Sequence, residues 1–388
     1  MSLGAIKEFI APAYSPELIE QKAKILREEI TNSWTLFQEA LKKGHKDYVR
    51  ELHIVAKSSA PEVHVAGLLR VLEKHKKFFK LGSQIEPSKI QPRLVLVERG
   101  SIWEDIFKIC RASWSMPYSR GYGRRLRFVA FDEYHEAVMG IIGLQSPPAD
   151  LACRDQLFEF PEGQKLDYIN CMLDAYTIGA IPPYSNLLGG KLIASLVVSE
   201  DVRKAYWRLY AGKKTILEKK LLLQPLLAVT TTSAFGRSSI YNRLRIDGKL
   251  IAEPIGWTKG YGTIHLESVY PKIVEWLRMR GELIPDGFGH GPRVRWQNIS
   301  TAISRLGLPN KYTAHGLMRE VFLFRHVDNL EEACAGRSIA QPIIRTTDAL
   351  CNHWKFRWAL PRSERDSAWR EANPLILLRE AIQQLTIG

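Results

Sequence analysis

The chain has 388 residues, 45% of them hydrophobic, which is enough to bury a large core and to form two or three domains. Lysine and arginine number 55 against 41 acidic residues, and the formal net charge of +14 favours nucleic acid as partner over a membrane surface. Five cysteines without a C-x-x-C pair or a short regular spacing are expected to be buried, reduced thiols. The absence of an apolar signal core and of a bilayer-length apolar run predicts a cytoplasmic protein.

Residues 1–92 are predicted to form a basic helical N-terminal region. Ser15 and Pro16 have the residue types of an N-cap and a first helical position. One buried face is predicted to contain the apolar residues Leu18, Ile25, Ile30, Trp34 and Phe37. The lysine clusters of this region read as solvated helix faces or, alternatively, as a phosphate-tracking surface.

Residues 93–270 are predicted to form an α/β core around a mixed or antiparallel sheet. Leu126, Phe128 and Ala130 alternate before a polar turn at 132–136, and 137–144 return, as in a β-hairpin. The other predicted elements are strands at 93–97, up to Ile181 and at 222–231, and helices at 103–112, from about Leu187, at 202–210 and at 238–243.

Residues 271–388 are predicted to form a basic helical C-terminal region, after a short helix at 270–280. Helices are expected at 296–306 and 312–325, joined by a Gly-Leu-Pro-Asn turn. This pair reads as ordinary helical packing or, alternatively, as a DNA-reading helix-turn-helix. The predicted fold class is therefore α+β, with a central sheet between helical N- and C-terminal regions.

The run from Cys171 to Leu192 leads from a strand through a Pro-Pro turn into a helix that starts near Gly189. Free N–H groups at such a helix start bind phosphate groups. The order of elements resembles the GCN5-related acetyltransferase (GNAT) fold. The resemblance implies that Gly189, Gly190 and Lys191 hold the pyrophosphate of acyl-CoA, that Tyr241 is the general acid, and that Arg243 lies beside it. Ser185 to Leu188 replace the arginine and spaced glycines of that family's loop.

Acidic residues offer a second catalytic interpretation, in which carboxylates bind metal ions near a phosphodiester. The residues considered are Asp132, Glu133, Asp155, Glu159 and Asp174, with Asp155 as the leading candidate beside Arg154. Their spacing matches no metal-binding motif, so no metal is assigned. His135, in the predicted hairpin turn, is expected to be exposed to solvent rather than to act as a base.

Two basic and aromatic segments are candidate nucleic-acid contacts. Arg124, Arg125 and Arg127 follow Arg120 and Tyr122 in a glycine-containing turn. The second segment contributes Trp354, Lys355, Arg357 and Arg362. Arginine suits phosphate oxygens and aromatic faces stack on unpaired bases. In the alternative interpretation, Trp354 and Trp358 lie four residues apart on a helix and simply face the core.

Several stretches in this order resemble the DruA family of Druantia anti-phage defence systems. They are 123–127, 153–155, 183–192, 230–244, 256–262, 315–320 and 354–365. The resemblance implies a defence component that works with other Druantia proteins, including a helicase-like one, and supplies no catalytic residues. A DNA-binding role is the leading interpretation, with acyl-CoA-dependent acyl transfer and metal-dependent DNA nicking as alternatives. Whether the chain is an enzyme, and which cofactor it uses, stays open.

Overall fold

A computed structural model describes residues 14–58, 64–114, 116, 123–215, 219–222, 224–285 and 294–386, so Arg120 and Tyr122 lie outside the described residues. The α-helices in these ranges are α1 (Pro16–Lys42), α2 (Lys46–Ser58), α3 (Val65–His75), α4 (Ile102–Ala112), α5 (Ala152–Asp155), α6 (Lys165–Ile169), α7 (Gly189–Leu196), α8 (Glu200–Tyr210), α9 (Tyr270–Met279), α10 (Val294–Arg305), α11 (Leu330–Cys334), α12 (Thr347–Trp354), α13 (Leu360–Arg365) and α14 (Pro374–Gln383).

The strands are β1 (Pro92–Leu96), β2 (Arg125–Asp132), β3 (Ala137–Gln145), β4 (Met172–Ala180), β5 (Ala228–Thr232), β6 (Arg245–Ile246), β7 (Lys249–Leu250), β8 (Glu253–Trp257) and β9 (Glu320–Arg325). Seven of them form one sheet in the order β1-β2-β3-β4-β5-β9-β8, and β6 pairs with β7 in a separate hairpin. Helices lie at both ends of the chain, so the predicted α+β class is confirmed.

The chain divides into two compact units that are both discontinuous in sequence. Unit 1 contains residues 1–56 and 259–317, and unit 2 contains residues 57–258 and 318–388. This grouping differs from the predicted linear division after residues 92 and 270. In unit 1, residues from near the N-terminus share a core with residues from the second half of the chain, and a linear reading of the sequence does not reveal such long-range packing.

The core of unit 1 is built by α1, α9 and α10. Ser15 caps α1 by accepting a hydrogen bond from the Leu18 N–H at 3.2 Å, as the sequence predicts. Ala23, Leu26 and Ile30 are buried in a cluster with residues of α9 and α10, whereas Leu18 and Ile25 are exposed. The predicted face was wrong at these two positions. An α-helix has 3.6 residues per turn, so residues 25 and 30 point about 140° apart and cannot both face the core.

The hairpin β2–β3 confirms the predicted alternation. Leu126, Phe128 and Ala130 lie in the main hydrophobic cluster of unit 2, and Val129 and Phe131 face a second cluster on the opposite side. Both faces of the hairpin are therefore buried, which explains why every residue of β3 is buried and why it is apolar throughout except for its terminal glutamine.

One parallel pair occurs among the described strand pairs of the seven-stranded sheet, between β4 and β5. Their register runs from Met172 opposite Ala228 to Ala175 opposite Thr231. β4 continues to Ala180 paired with β3 alone. The last five residues of β4 thus extend beyond its pairing with β5, and the segment after β4 enters α7 at this end of the sheet.

The structure has no α-helix at two places where the sequence predicted one, residues 312–325 and 238–243. Residues 312–325 contain a short 3-10 turn and then β9, which lies between β5 and β8 and is buried from Val321 to Phe324. Burial of this aromatic and aliphatic run in a central strand overrides the helical spacing, so the prediction of a helix at 312–325 was wrong, and the alternative of a helix-turn-helix is excluded with it. Residues 238–243 form turns in which Arg243 has a left-handed φ of 58°.

Candidate functional site

The first turn of α7 contains the predicted cofactor residues Gly189, Gly190 and Lys191. The Gly189 N–H donates to the Tyr184 carbonyl at 2.8 Å, and the Lys191 N–H donates to the Leu188 carbonyl at 3.0 Å. A side chain at Gly190 would meet Ile240. The backbone N–H groups of Gly189 and Lys191 are therefore engaged within the chain and are not free for a pyrophosphate.

The Lys191 side chain clamps the turn at 238–243. Its ammonium lies 3.4, 3.2 and 3.3 Å from the carbonyl oxygens of Ser239, Ile240 and Asn242, and 5.5 Å from the centre of the Trp358 ring. Burial lowers the pKa of Lys191. The ammonium thus satisfies three carbonyls of the turn and is not presented to a ligand.

The predicted acid, Tyr241, lies in this turn and faces the core. Its ring packs 5.0 Å from the Phe322 ring and 5.9 Å from the Phe324 ring. Burial raises the pKa of Tyr241 to about 12, so the hydroxyl stays protonated at neutral pH. Arg243 is exposed two residues later. The structure therefore does not bring Tyr241 and Arg243 together in one open site.

The predicted metal ligand Asp155 is held by its own neighbours. Its carboxylate accepts from the Leu151 N–H at 3.0 Å and pairs with Arg154 at 2.6 Å and Lys165 at 2.8 Å. Burial opposes ionisation of Asp155, but the hydrogen bonds from Lys165, Leu151 and Arg154 outweigh it and lower the pKa. Among the described residues, no group of three or more histidine, cysteine, aspartate and glutamate side chains is arranged to hold a metal ion.

The side chains of Asp132 and His135 form a largely buried hydrogen-bond network inside the hairpin turn, whose other residues are exposed. The Asp132 carboxylate accepts from the Gln91 and Tyr134 N–H groups at 2.9 and 3.2 Å, from Tyr184 Oη at 2.8 Å and from His135 Nδ1 at 2.6 Å. His135 Nε2 accepts from the backbone N–H of Glu86 at 3.0 Å. The expectation that His135 is exposed was wrong, because this network fixes the hairpin turn to two other segments.

Asp174 of β4 lies where β4 and β5 pair. Its carboxylate accepts from Gln145 Nε2 at 3.2 Å and from Thr230 Oγ1 at 3.0 Å. Burial raises the pKa of Asp174 to about 6, against which the two hydrogen bonds act. Asp174 is thus a buried carboxyl group with an elevated pKa. It is absent from the predicted acyl-transfer residues, and among the predicted metal-binding carboxylates it ranked behind Asp155.

The arginines at the start of β2 have different surroundings. Arg124 donates to Tyr206 Oη at 2.9 Å and lies 5.7 and 5.9 Å from the ring centres of Tyr206 and Tyr210. Arg127 pairs with Glu104 at 3.3 Å. Arg125 is exposed, and none of the described residues pairs with its guanidinium group. Arg125 is therefore the member of this predicted trio that is available to a partner.

The C-terminal basic segment is partly structural. Trp354 is fully buried and donates from Nε1 to the Leu188 carbonyl at 3.1 Å, so its ring faces are not available for stacking. Lys355 donates to the Ser88 carbonyl at 3.1 Å, and Arg362 pairs with Asp366 at 2.7 Å. Arg357 is exposed on a π-helical turn at 355–359, next to Phe356. The i→i+5 bonding there avoids the clash of the Pro361 ring with the carbonyl four residues earlier.

A basic and aromatic surface on α8 was not among the predicted contacts. We call it the α8 surface and define it as Arg93, Lys204, Trp207, Arg208, Lys213 and Lys214. The Trp207 side chain is 51% exposed. Lys204, three residues before it, and Arg208, the next residue, lie on the same solvent-exposed side of α8. Between α8 and the edge strand β1 runs a groove of about 400 Å³. Its lining contains three cations, Arg93, Lys204 and Arg208, two carboxylates, Glu98 and Asp201, and apolar residues.

The signal for the α8 surface was present in the sequence. Residues 203–220 contain seven lysines and arginines and one glutamate, with Trp207 among them. The sequence predicted this helix as amphipathic without indicating which side chains face outward. Val202, Ala205 and Tyr206 turn out to be buried, and their positions leave Lys204, Trp207 and Arg208 on the solvent side.

These features define an α+β protein with a mostly antiparallel seven-stranded sheet and a basic, aromatic outer helix. The sequence pattern of the family described as Druantia protein DruA matches residues 43–336, about three quarters of the chain. The chain belongs to that family. It is 34% identical over 332 residues to the Druantia protein DruA of Escherichia coli (strain UMEA 4076-1), which covers 84% of this chain and 82% of that protein.

The family match includes α8 and ends before the segment at 354–365 that contributed to the sequence resemblance. No solved structure matches the chain. Among the described residues, no helix is long and apolar enough to cross a membrane.

Proposed function

We propose that this chain is a nucleic-acid-binding component of Druantia anti-phage defence, and that the α8 surface makes the contact. The observation that carries the proposal is Trp207, an exposed indole with Lys204 and Arg208 on the same helix face. An aromatic ring beside two cations offers stacking to a base and charge to the adjoining phosphates. Family membership supports the defence role.

The charge of the α8 surface is only partly neutralised within the chain. Arg93 pairs with Glu133 at 2.9 Å and Lys204 pairs with Glu200 at 2.9 Å. Both cations are exposed, and an ion pair of an exposed cation is weak and can be exchanged for a phosphate. Arg208, Lys213 and Lys214 are exposed, and none of the described acidic side chains pairs with them. A chain with a formal charge of +14 thus carries available cations around an exposed aromatic ring.

Single-stranded DNA is the proposed ligand. A duplex buries the base faces, and only unpaired bases can stack on Trp207. Arg125 and Arg357 are secondary candidate contacts because their side chains are exposed. Arg124, Arg127, Lys355 and Arg362 have partners within the chain, so their contribution to binding is expected to be smaller.

The scaffold that presents α8 is proposed to be GNAT-like. Support comes from the parallel pairing of β4 with β5 in an otherwise antiparallel sheet, from the extension of β4 beyond that pairing, and from α7 directly after β4. Acyl transfer is the weaker proposal, since Lys191 and the N–H of Gly189 are already engaged. Metal-dependent nicking at Asp155 is weaker still, since Arg154 and Lys165 neutralise that carboxylate.

The test is fluorescence anisotropy with a labelled single-stranded DNA, the matching duplex and an RNA of the same sequence. We expect single strands to bind more tightly than the duplex, and Trp207→Ala to weaken single-strand binding by about tenfold, since stacking contributes roughly 1–3 kcal/mol per base. Tyr134→Ala, which removes another exposed aromatic ring, is the matched control and should change nothing. Equal binding by wild type and Trp207→Ala would refute the role of the α8 surface.

A further inference from the structure

A second cavity of unit 2 lies apart from the α8 surface and shares no lining residue with it. It has a volume of about 470 Å³ and is bounded by the hairpin β6–β7, the start of β8, the end of β9 and residues 328–345. Small-molecule sites commonly enclose about 300–1,000 Å³, so the cavity is of a size to hold a small ligand. We call it the β6–β7 pocket.

Two charged groups of the β6–β7 pocket neutralise each other. Arg325 Nε donates to both carboxylate oxygens of Glu253 at 2.8 and 2.9 Å, and its Nη atoms donate to Glu331 at 2.8 and 2.7 Å. All of the nitrogen atoms of this guanidinium group are therefore engaged with carboxylates. Arg325 and Glu253 form a rigid wall, and together with Glu331, which also binds Arg325, they carry one net negative charge.

Three other cations line the β6–β7 pocket without a carboxylate partner. Arg245 donates to the Gly248 carbonyl at 2.8 Å, and Arg345 donates to the Arg325 carbonyl at 3.2 Å. Lys249 is exposed. No described acidic side chain lies within ion-pair distance of these three groups. The lining contains two carboxylates, of which Glu253 is bound by Arg325 and Asp328 is not. The cavity therefore has an excess of positive charge.

The inner side of the β6–β7 pocket adds to this positive field. Arg203 donates to the carbonyl of Ile343 at 2.6 Å, just behind the lining. Partial burial lowers the pKa values of Arg203 and Arg345, although both remain charged. The pKa of the nearby His326 is lowered to about 3, mainly by burial and to a smaller extent by the positive charges of Arg203 and Arg345, so this histidine is neutral. No described carboxylate forms an ion pair with either arginine, although Asp328, Glu253 and Asp247 lie close enough to act on Arg345, and Glu200 close enough to act on Arg203, against the effect of burial on each pKa.

The rest of the lining is apolar, contributed by Leu250, Ile251 and Ile343. A cavity with apolar walls on one part and cations that outnumber the carboxylates on another suits a ligand with a phosphate group and a flat organic group. We propose that the β6–β7 pocket binds a small phosphate ester, of the class of a nucleoside phosphate, with Arg245, Lys249 and Arg345 holding the phosphate. This site is separate from the nucleic-acid contact.

Isothermal titration calorimetry of the full chain with AMP, with adenosine and with inorganic phosphate tests the proposal. We expect AMP to bind more tightly than either fragment, because it uses both the cations and the apolar wall. Lys249→Gln, at an exposed position where folding is not at risk, should weaken AMP binding about tenfold, and Arg345→Gln should weaken it at least as much. Arg208→Gln, a control on the α8 surface, should leave AMP binding unchanged.

Several results would overturn the proposal. Absence of AMP binding at millimolar concentration is one, and equal affinity of wild type and Lys249→Gln is another. If the wild type does not bind AMP and Lys249→Gln loses single-stranded DNA binding, the cations of the β6–β7 pocket contact nucleic acid and do not hold a small phosphate ester. Failure of the α8 surface proposal leaves AMP binding untouched, so the two proposals fail separately.

Discussion

The buried network around Asp132 gives a stability prediction that can be worked out from its contacts. In Asp132→Asn, one oxygen still accepts from the Gln91 and Tyr134 N–H groups, but an amide NH₂ replaces the oxygen that faces His135 Nδ1 and Tyr184 Oη. The imidazole cannot simply change tautomer, since its Nε2 already accepts from the Glu86 N–H. The variant therefore places the amide NH₂ donors against the Nδ1–H donor of His135, beside a position that is buried in the structure.

The expected magnitude follows from the fate of the two bonds to this oxygen: the bond from His135 Nδ1 is lost, whereas the Tyr184 hydroxyl can reverse its role and accept from the amide. A hydrogen bond to a charged group contributes about 1.5–3 kcal/mol, and a buried group left unpaired costs about 1–3 kcal/mol. Asp132→Asn should therefore lower the free energy of unfolding by about 3–4 kcal/mol. Tyr184→Phe removes one of these bonds and should lower it by about 2 kcal/mol. The double variant should cost less than the sum, because the two residues are direct partners.

Urea unfolding followed by far-ultraviolet circular dichroism measures these differences. Tyr134→Phe is the matched control, since that ring is exposed and only its backbone N–H contacts Asp132; its change should stay within about 0.5 kcal/mol. If Asp132→Asn unfolds within about 1 kcal/mol of the wild type, or if the double variant is strictly additive, the network does not stabilise the fold as described.

Three further outcomes follow from buried groups. Because burial raises the pKa of Asp174 to about 6, its ionisation destabilises the fold above that pH; Asp174→Asn should raise the free energy of unfolding by about 1–3 kcal/mol at pH 7.5, and the gain should vanish as the pH falls from 6 to 4 in urea titrations. Lys191→Met should lower stability by about 1–2 kcal/mol by thermal unfolding, because three carbonyls lose their donor, and acetyl-CoA should not shift the melting temperature of the wild type. Trp354→Ala should lower the free energy of unfolding by about 3–5 kcal/mol, while the folded fraction binds DNA with unchanged affinity. A flat pH profile, an unaffected Lys191→Met or a DNA-binding defect in folded Trp354→Ala would each contradict the corresponding assignment.

Local patterns predicted the parts of the fold that depend on neighbours in sequence. The hairpin β2–β3 was predictable because its alternation and its polar turn lie within about twenty residues. β9 was not, since Val321 to Phe324 form a strand only between β5 and β8, which are distant in sequence. The helical interpretation of 312–325 counted apolar spacing without those partners.

The same limit applies to the candidate site. Sequence identified arginine and tryptophan as the relevant residue types, but whether a side chain faces solvent depends on tertiary partners. Arg124 lies against Tyr206, and Trp354 bonds to Leu188, contacts that span 82 and 166 positions. The sequence shows a tryptophan between basic residues at Lys204, Trp207 and Arg208. That all three side chains are exposed became clear only once the buried face of α8 was known.

The salt dependence of single-stranded DNA binding tests the central claim most directly. Replacing two phosphate-contacting cations should reduce the slope of log affinity against log salt by about 1.4 for a single strand. We predict this reduction, together with weaker binding, for Lys204→Gln/Arg208→Gln. Arg70→Gln/Arg379→Gln, which removes two exposed charges from α3 and α14, should keep the wild-type slope. An unchanged slope in the α8 variant, or equal losses in both variants, would contradict a nucleic-acid contact at the α8 surface.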